Sequence, residues 1–302
     1  MAIEYRAQQS PLVQPCQIEH HIHDMTVMAA ADVQLKILQG KLAENRQWLP
    51  IDGQNDLPIG QLVQKNSTGP LRLGYGAWRD LLLGCQFRGG DGQLVTTGGR
   101  TMKNVAGYDL TKFMVGQYGV FGEPITITAR TFRRPDGALL ARFSPQIQTL
   151  NRLLPTSERP QWAILTADAL YCGYLGDRRT LDYWRSALGA NSFQPSPLEI
   201  VEHSVQEDID HRADLFNGRA ADGFRASVPP NGILEFVERC RPTNWAADAA
   251  FGIVVGSAGA SEAEQAASAC GGVVCGSAAN GSELLRRLKK ALDPSGKLQP
   301  LA

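Results

Sequence analysis

"GGRTMKNVAGYDLTKFMVGQYGVFG", residues Gly98 to Gly122, concentrates six glycines (98, 99, 107, 116, 119 and 122) around Arg100, Lys103, Lys112, Asp109, Asn104 and Tyr108. Glycine tolerates positive φ and lets backbone N–H groups approach a ligand closely. Such groups, together with a helix N-terminus, make an anion site. Asp109 can cap a short helix, LTKFMVG, that ends at Gly116. The helix dipole contributes only about 0.3–1 kcal/mol to a nearby anion, so Lys103, Arg100 or Lys112 would have to assist. Two readings stand: half of a site for a ligand with a phosphate and a flat ring, or glycines serving tight turns in a β-rich domain. GxGxxG in a strand–turn–helix setting and GxxxxGK[ST] are both absent, which argues against a Rossmann site and a P-loop.

The flanking sequence supplies the scaffold. Upstream, LLLGCQFRGGDGQLVTT (81–97) predicts two strands around a Gly90-Asp91-Gly92 turn. Downstream, PITITARTF (124–132) alternates like a half-buried strand, and RRPDG marks a turn and a domain boundary. Nearer the N-terminus, a strand over Met25–Val33 leads into a helix in which Leu35, Leu38 and Leu42 recur at helical spacing. Beyond Ala138 the pattern becomes strand–helix units. ALLARF precedes PQIQTLNRLLP, the single apolar run WAILTADALYCGYL precedes DRRTLDYWRSALG, FRASVPP precedes NGILEFVERC, and FGIVVG precedes SEAEQAASAC. Short strands covered by helices predict an α+β layer.

The chain of 302 residues carries 30 basic and 30 acidic side chains, so its formal charge is zero. General nucleic-acid binding needs a basic excess and is not expected. The longest apolar run, Ala249–Ser261, is too short and glycine-broken to span a bilayer. Six scattered cysteines without a CxxC suit a reducing cytoplasm. Neither CGGVVC (270–275) nor HHIHD (20–24) completes a metal-ligand set, so no metal is expected. Glu202, Glu207, Asp208 and Asp210 read as a solvated helix face, as does RRLKK (286–290). Trp78, Trp162, Trp184 and Trp245 read as core or interface.

TTGGRTMKNVAGYDLTKFMVGQYGVFG resembles the signature of the E-type subunits of glycolate oxidase, a family of FAD-linked oxidases of the vanillyl-alcohol-oxidase type. The preceding GPLRLGYGAWRDLLLGCQF and the C-terminal RRLKKALDPSGKLQP are similar to family segments too. The resemblance implies an α+β chain: a PCMH-type FAD-binding domain over residues 1–136, then a ferredoxin-like α+β cap over 137–302 whose tail, 283–302, returns to the FAD domain. It implies FAD contacts from Asn66, Ser67, Thr68, Gly69 and Arg72, with backbone from Gly98 and Gly99. Lys103, Asn104, Gly107, Tyr108 and Asp109 would surround the cofactor, and Gly119, Val120 and Gly122 would serve its adenine end. The implied function is that of an FAD-binding subunit of a complex oxidising a 2-hydroxy acid, glycolate to glyoxylate. Its partners would be a flavin-bearing D-type subunit and an iron–sulfur F-type subunit, in the cytoplasm or at a membrane through those partners. Catalytic residues stay unassigned, with Arg72 and Tyr108 as candidates for the substrate carboxylate.

Two departures from the family matter. Residues 1–27 contain no R-G-x-G-[ST] diphosphate loop, so the first subdomain is expected to be truncated. The family's Gly-Gly is replaced by Ile59-Gly60-Gln61. Lost donors to a charged group cost about 1.5–3 kcal/mol each. Three readings follow: the coding start lies upstream, the remaining half-site holds FAD, or the subunit has lost its flavin. The functional alternatives are accordingly a flavin-free assembly subunit and a stand-alone FAD oxidoreductase.

Overall fold

A computed structural model describes residues 18–53, 55–99, 110–190, 194–216, 223–275 and 283–301. The chain divides into two compact units: Met1–Thr68 with Gly76–Arg134 and Asn280–Ala302, and Gly69–Tyr75 with Pro135–Ala279.

In chain order, the first elements are β1 (Ile18–His21), β2 (Thr26–Ala30), α1 (Leu35–Ala43), β3 (Gln47–Trp48) and α2 (Ile59–Gln64). A single turn, α3 (Arg72–Tyr75), belongs to the second unit. The first unit resumes with α4 (Trp78–Leu81), β4 (Leu82–Arg88), β5 (Leu94–Gly98), α5 (Leu110–Phe113), β6 (Glu123–Arg130) and β7 (Phe132–Arg133). Its main sheet has the order β1-β2-β6-β4-β5, and every neighbouring pair is antiparallel. β3 and β7 form a separate two-stranded ladder. The leucines of α1 at 35, 38 and 42 are buried, as their spacing requires, beside Val27, Ile59, Leu62, Trp78 and Ile127. Each such burial is worth about 1.5–3 kcal/mol. The expected hairpin over 81–97 is present as β4 and β5, with Asp91 accepting from the Gln93 N–H inside the turn.

The second unit continues with β8 (Gly137–Phe143), α6 (Ile147–Leu153), β9 (Trp162–Thr166), β10 (Leu170–Gly176), α7 (Arg178–Gly189), β11 (Glu199–His203) and α8 (Val205–Phe216). It ends with β12 (Phe224–Ser227), α9 (Ile233–Cys240), β13 (Thr243–Asp248), β14 (Ile253–Ser257), α10 (Ala260–Ala269) and β15 (Val273–Val274). One more helix, α11 (Glu283–Leu292), returns to the first unit. The eight strands of the second unit form an antiparallel sheet in the order β11-β8-β10-β9-β13-β14-β12-β15. Leu150, Leu181, Ile233, Phe236 and Ala263 bring helices into one core with Leu139, Leu165, Leu170 and Val254.

Two expectations are corrected here. The apolar run over 162–175 is a hairpin, not one strand. The Thr166 hydroxyl accepts from the Asp168 and Ala169 N–H groups and donates to the Ala169 carbonyl, which closes the turn locally. The acids over 202–210 do not form one solvated face. Glu202 lies in β11, Glu207 and Asp210 are exposed on α8, and Asp208 is only 1% exposed. Its carboxylate pairs with Arg212, itself 3% exposed, and accepts the Trp162 indole N–H at 2.9 Å. All four tryptophans singled out in the sequence are buried.

Candidate functional site

The described flanks of the glycine-rich stretch show what several of its glycines do. Gly98 ends β5 at φ +67°, where a β-carbon would lie 2.1 Å from the Leu83 carbonyl oxygen and 2.7 Å from the Thr111 hydroxyl. The buried Thr97 and Thr111 hydroxyls share a hydrogen bond of 2.6 Å, which ties β5 to α5. At Gly122 a β-carbon would meet the Phe87 ring at 2.6 Å. These two glycines are explained by packing. Gly99 donates to Leu83 O at 3.1 Å and has open space at its α-carbon. Arg100, Lys103, Asn104, Gly107, Tyr108 and Asp109 lie outside the described residues.

Beyond α5 the backbone enters the left-handed region three times, at Gly116 (φ +79°), Tyr118 (φ +54°) and Gly119 (φ +80°). Gly116 N–H donates to Val63 O and Tyr118 N–H to Gln64 O, which seats the loop on the end of α2. The Gln117 carboxamide bridges the loop by donating to Gly122 O and accepting from Phe121 N–H. Asn66, also left-handed at φ +47°, follows α2 directly. Its Oδ1 is buried and accepts no hydrogen bond among the described residues. Ser67 N–H is used by Leu62 O.

Within the first unit these loops border a cleft of about 660 Å³. Gly60, Gln61, Gln64 and Lys65 come from α2 and its end, Tyr118 and Gly119 from the loop, and Asp32, Glu123 and Pro124 from strand ends. Lys297, Leu298 and Gln299 close it from the C-terminal segment. Of the site residues expected from the sequence, Gly119 lines this cleft, and the glutamines, lysines and Tyr118 were not anticipated. Their signal was available only as proximity: Gln61 lies in the Ile59-Gly60-Gln61 segment that departs from the expected Gly-Gly, and Gln299 lies in the C-terminal motif.

The C-terminal wall is held by Asp293. Its carboxylate accepts Lys289 Nζ at 2.6 Å and the Lys297 and Leu298 N–H groups at 2.9 and 3.0 Å. Lys289 also donates to Val120 O and Gln299 O, and Gln299 N–H to Gly119 O. The Lys289 hydrogen bond, followed by the two backbone donors, holds the Asp293 carboxyl below its ordinary range. A lowered carboxyl contributes stability that is full above about pH 4 and is lost as pH falls through the folded value. The melting temperature of the native chain is therefore expected to fall more steeply between roughly pH 4 and 2 than that of Asp293→Asn. Equal slopes in melting curves recorded across that range would remove the claim.

Arg72 and Gly69 belong to the second unit. Arg72 Nε donates to Asp248 at 3.1 Å, Nη2 lies 3.0 Å from the same oxygen, and the guanidinium stacks 3.9 Å from the Phe251 ring centre. In the same unit the Tyr75 hydroxyl is pushed up to about 12, first by burial and then by the Asp208 charge.

No protein-family model matches the chain. Glycolate oxidase subunit GlcE of Escherichia coli (strain K12) is 32% identical over 128 residues, 41% of this chain and 37% of that protein. The mitochondrial cytochrome D-lactate dehydrogenase of Arabidopsis thaliana is 30% identical over 121 residues, 40% of this chain and 21% of that protein. Glycolate oxidase subunit GlcD of Bacillus subtilis (strain 168) is 27% identical over 212 residues, 63% of this chain and 43% of that protein. The chain thus spans less than half the length of each of these relatives. Two crystal structures of alkyldihydroxyacetonephosphate synthase share the fold at TM-scores of 0.60 and 0.62, with 13% identity, over 90% of this chain and 63% of theirs. The chain is a relative of the FAD-linked oxidases that include glycolate oxidase subunits and D-lactate dehydrogenases.

Proposed function

We propose that the chain is the FAD-binding subunit of a glycolate-oxidase-type complex that oxidises a small 2-hydroxy acid, with glycolate as substrate and D- and F-type subunits as partners. The observation that carries this reading is the 128-residue relationship to a glycolate oxidase subunit. The proposal includes a PCMH-type FAD domain, a ferredoxin-like cap and a cytoplasmic location. Two features of the first unit suit the cofactor: the orphaned Asn66 Oδ1 and the polar cleft bordered by Gly119. Asn66, Ser67, Thr68, Gly99, Gly119 and Val120 of the first unit are the described residues proposed to hold it, Gly98 and Gly122 serve only by shaping the backbone around them, and Lys103, Asn104, Gly107, Tyr108 and Asp109 belong to the proposed set. When bound, FAD supplies acceptance of a hydride from the substrate α-carbon. The residues of this chain then bind and orient, and none is assigned as base.

FAD added to purified chain is expected to bind with visible flavin absorbance, and Asn66→Ala to weaken it by about ten-fold. A colourless chain at saturating FAD would refute the reading. It would favour the second one, a flavin-free assembly subunit, to which two observations lean. Ile59-Gly60-Gln61 stands where the resemblance implies Gly-Gly, and Arg72 is already engaged by Asp248 and Phe251. Co-purification with D- and F-type subunits separates either from a stand-alone oxidoreductase.

A further inference from the structure

The helix α11, ELLRRLKKAL, sorts its side chains into two arcs. At 3.6 residues per turn, Leu284, Leu285, Leu288, Ala291 and Leu292 share an arc of about 120°, and the charged residues fill the remainder. A helix of this pattern ordinarily buries its apolar arc in its own fold, as α1 does with Leu35, Leu38 and Leu42. In α11 each of the ten residues is at least partly exposed. Leu284, at 72%, is the most exposed large apolar side chain among the described residues, and Leu285 and Leu292 are 36% and 40% exposed. The helix is nonetheless firmly held. Lys289 turns inward, its side chain 16% exposed, and ties α11 to the first unit through Asp293, Val120 O and Gln299 O. An anchored helix that leaves its leucines in water is suited to a contact outside its own unit.

Charge identifies the contact. The whole chain is balanced, with 30 basic and 30 acidic residues, yet α11 carries Arg286, Arg287, Lys289 and Lys290 against Glu283 alone. Glu283 lies 3.6 Å from Arg286, and Lys289 is consumed by Asp293, so the exposed excess rests on Arg287, Lys290 and the partly offset Arg286. Leucines beside exposed cations on one short helix match an anionic lipid surface, which takes apolar side chains at the acyl boundary and cations at its phosphates. The long basic side chains can reach those phosphates while their stems stay with the leucines. A lipid surface needs no groove shaped to the helix, whereas a protein partner would. We propose that α11 docks the chain on anionic phospholipid, with Leu284, Leu288 and Leu292 entering the head-group boundary and Arg286, Arg287 and Lys290 on lipid phosphates. The chain makes this contact itself, without a partner subunit, and the assignment does not rest on the flavin reading.

The test is flotation of the full chain with vesicles of phosphatidylcholine alone and with one quarter phosphatidylglycerol. Binding is expected to the anionic vesicles, much more weakly to the neutral ones, and to decline with added salt. Each basic residue near such a surface multiplies affinity about five-fold, so Arg286→Gln, Arg287→Gln and Lys290→Gln together are expected to weaken binding about 100-fold. A matched control, Lys36→Gln, Lys41→Gln and Arg152→Gln, removes three exposed charges outside α11 and is expected to bind nearly as the native chain does. Leu284→Ser with Leu292→Ser is expected to weaken binding at least about ten-fold with an unchanged melting temperature, because both side chains are already exposed. Hydrogen exchange over residues 283–292 is expected to slow on the anionic vesicles, while residues 205–216 of α8 exchange as before. If the α11 variants bind as the native chain does, or the control loses as much, the assignment to α11 is overturned. Equal binding to both vesicles would overturn anionic recognition. Binding to neither would overturn the lipid surface in favour of an acidic protein groove, and flavin absorbance of the chain would be untouched by any of these results.

Discussion

Asp208→Ala is expected to destabilise the second unit by about 3–5 kcal/mol, because it removes the buried carboxylate that pairs with the Arg212 guanidinium. The same change strands the Trp162 indole N–H, which donates to Asp208 and sits on a ring lying 5.7 Å from the Arg212 guanidinium carbon. A pair at 1% and 3% exposure has no water to take over these roles. Asp208→Asn keeps an acceptor for Trp162 but not the charge, so it should fall between alanine and the native chain. Asp210→Ala, at an exposed position of the same helix, should shift stability by no more than about 0.5 kcal/mol. Urea denaturation followed by tryptophan fluorescence measures all three. Equal midpoints for the Asp208 and Asp210 alanine variants would show that the buried network does not hold the unit together.

Gly98→Ala carries the second large effect, a loss on the order of 3 kcal/mol in the first unit. Two penalties coincide there. The φ of +67° strains any β-carbon, and that carbon would be driven to 2.1 Å from a backbone oxygen, which has no rotamer by which to yield. Gly99→Ala is the matched control, because nothing lies within 4 Å of its β-carbon position. Thermal melts are expected to separate the neighbours clearly. A Gly99→Ala variant that melts as the native chain does but binds FAD weakly would mark Gly99 as a ligand-facing glycine and Gly98 as a packing one. If both variants melt together, the close approach of β4 and β5 does not explain Gly98.

Much of the fold was legible because periodicity reports local burial. Leu35, Leu38 and Leu42 announced α1, Gly90-Asp91-Gly92 announced the hairpin, and the alternation in PITITARTF announced β6. What periodicity does not report is side-chain capture of the backbone. The Thr166 hydroxyl breaks an apolar run into β9 and β10 without any glycine or proline to signal it. Asp208 escapes periodicity for a related reason. A carboxylate at helical spacing looks solvated until Arg212, four residues on, and Trp162, 46 residues earlier, are seen to consume it. The cofactor motif was legible as chemistry, but its glycines have unlike roles that spacing cannot separate. Gly98 and Gly122 are packed against β4, Gly119 borders a cleft, and Gly99 is open. The cleft's own glutamines and lysines carry no motif at all. They become a set only when residues 32, 61–65, 118–123 and 297–299 are brought together by folding.

The anchoring of Lys289 to the Val120 carbonyl also sets a timetable for biosynthesis. The two groups are 169 residues apart in the chain, so at ribosomal speeds of roughly 5–20 residues per second Val120 emerges about ten to thirty seconds before its partner exists. During that interval the cleft lacks its C-terminal wall while Pro135–Ala279 of the second unit is being translated. A chaperone that shields the nascent first unit, or a ligand that reaches the open cleft early, therefore has its window before the C-terminal segment docks.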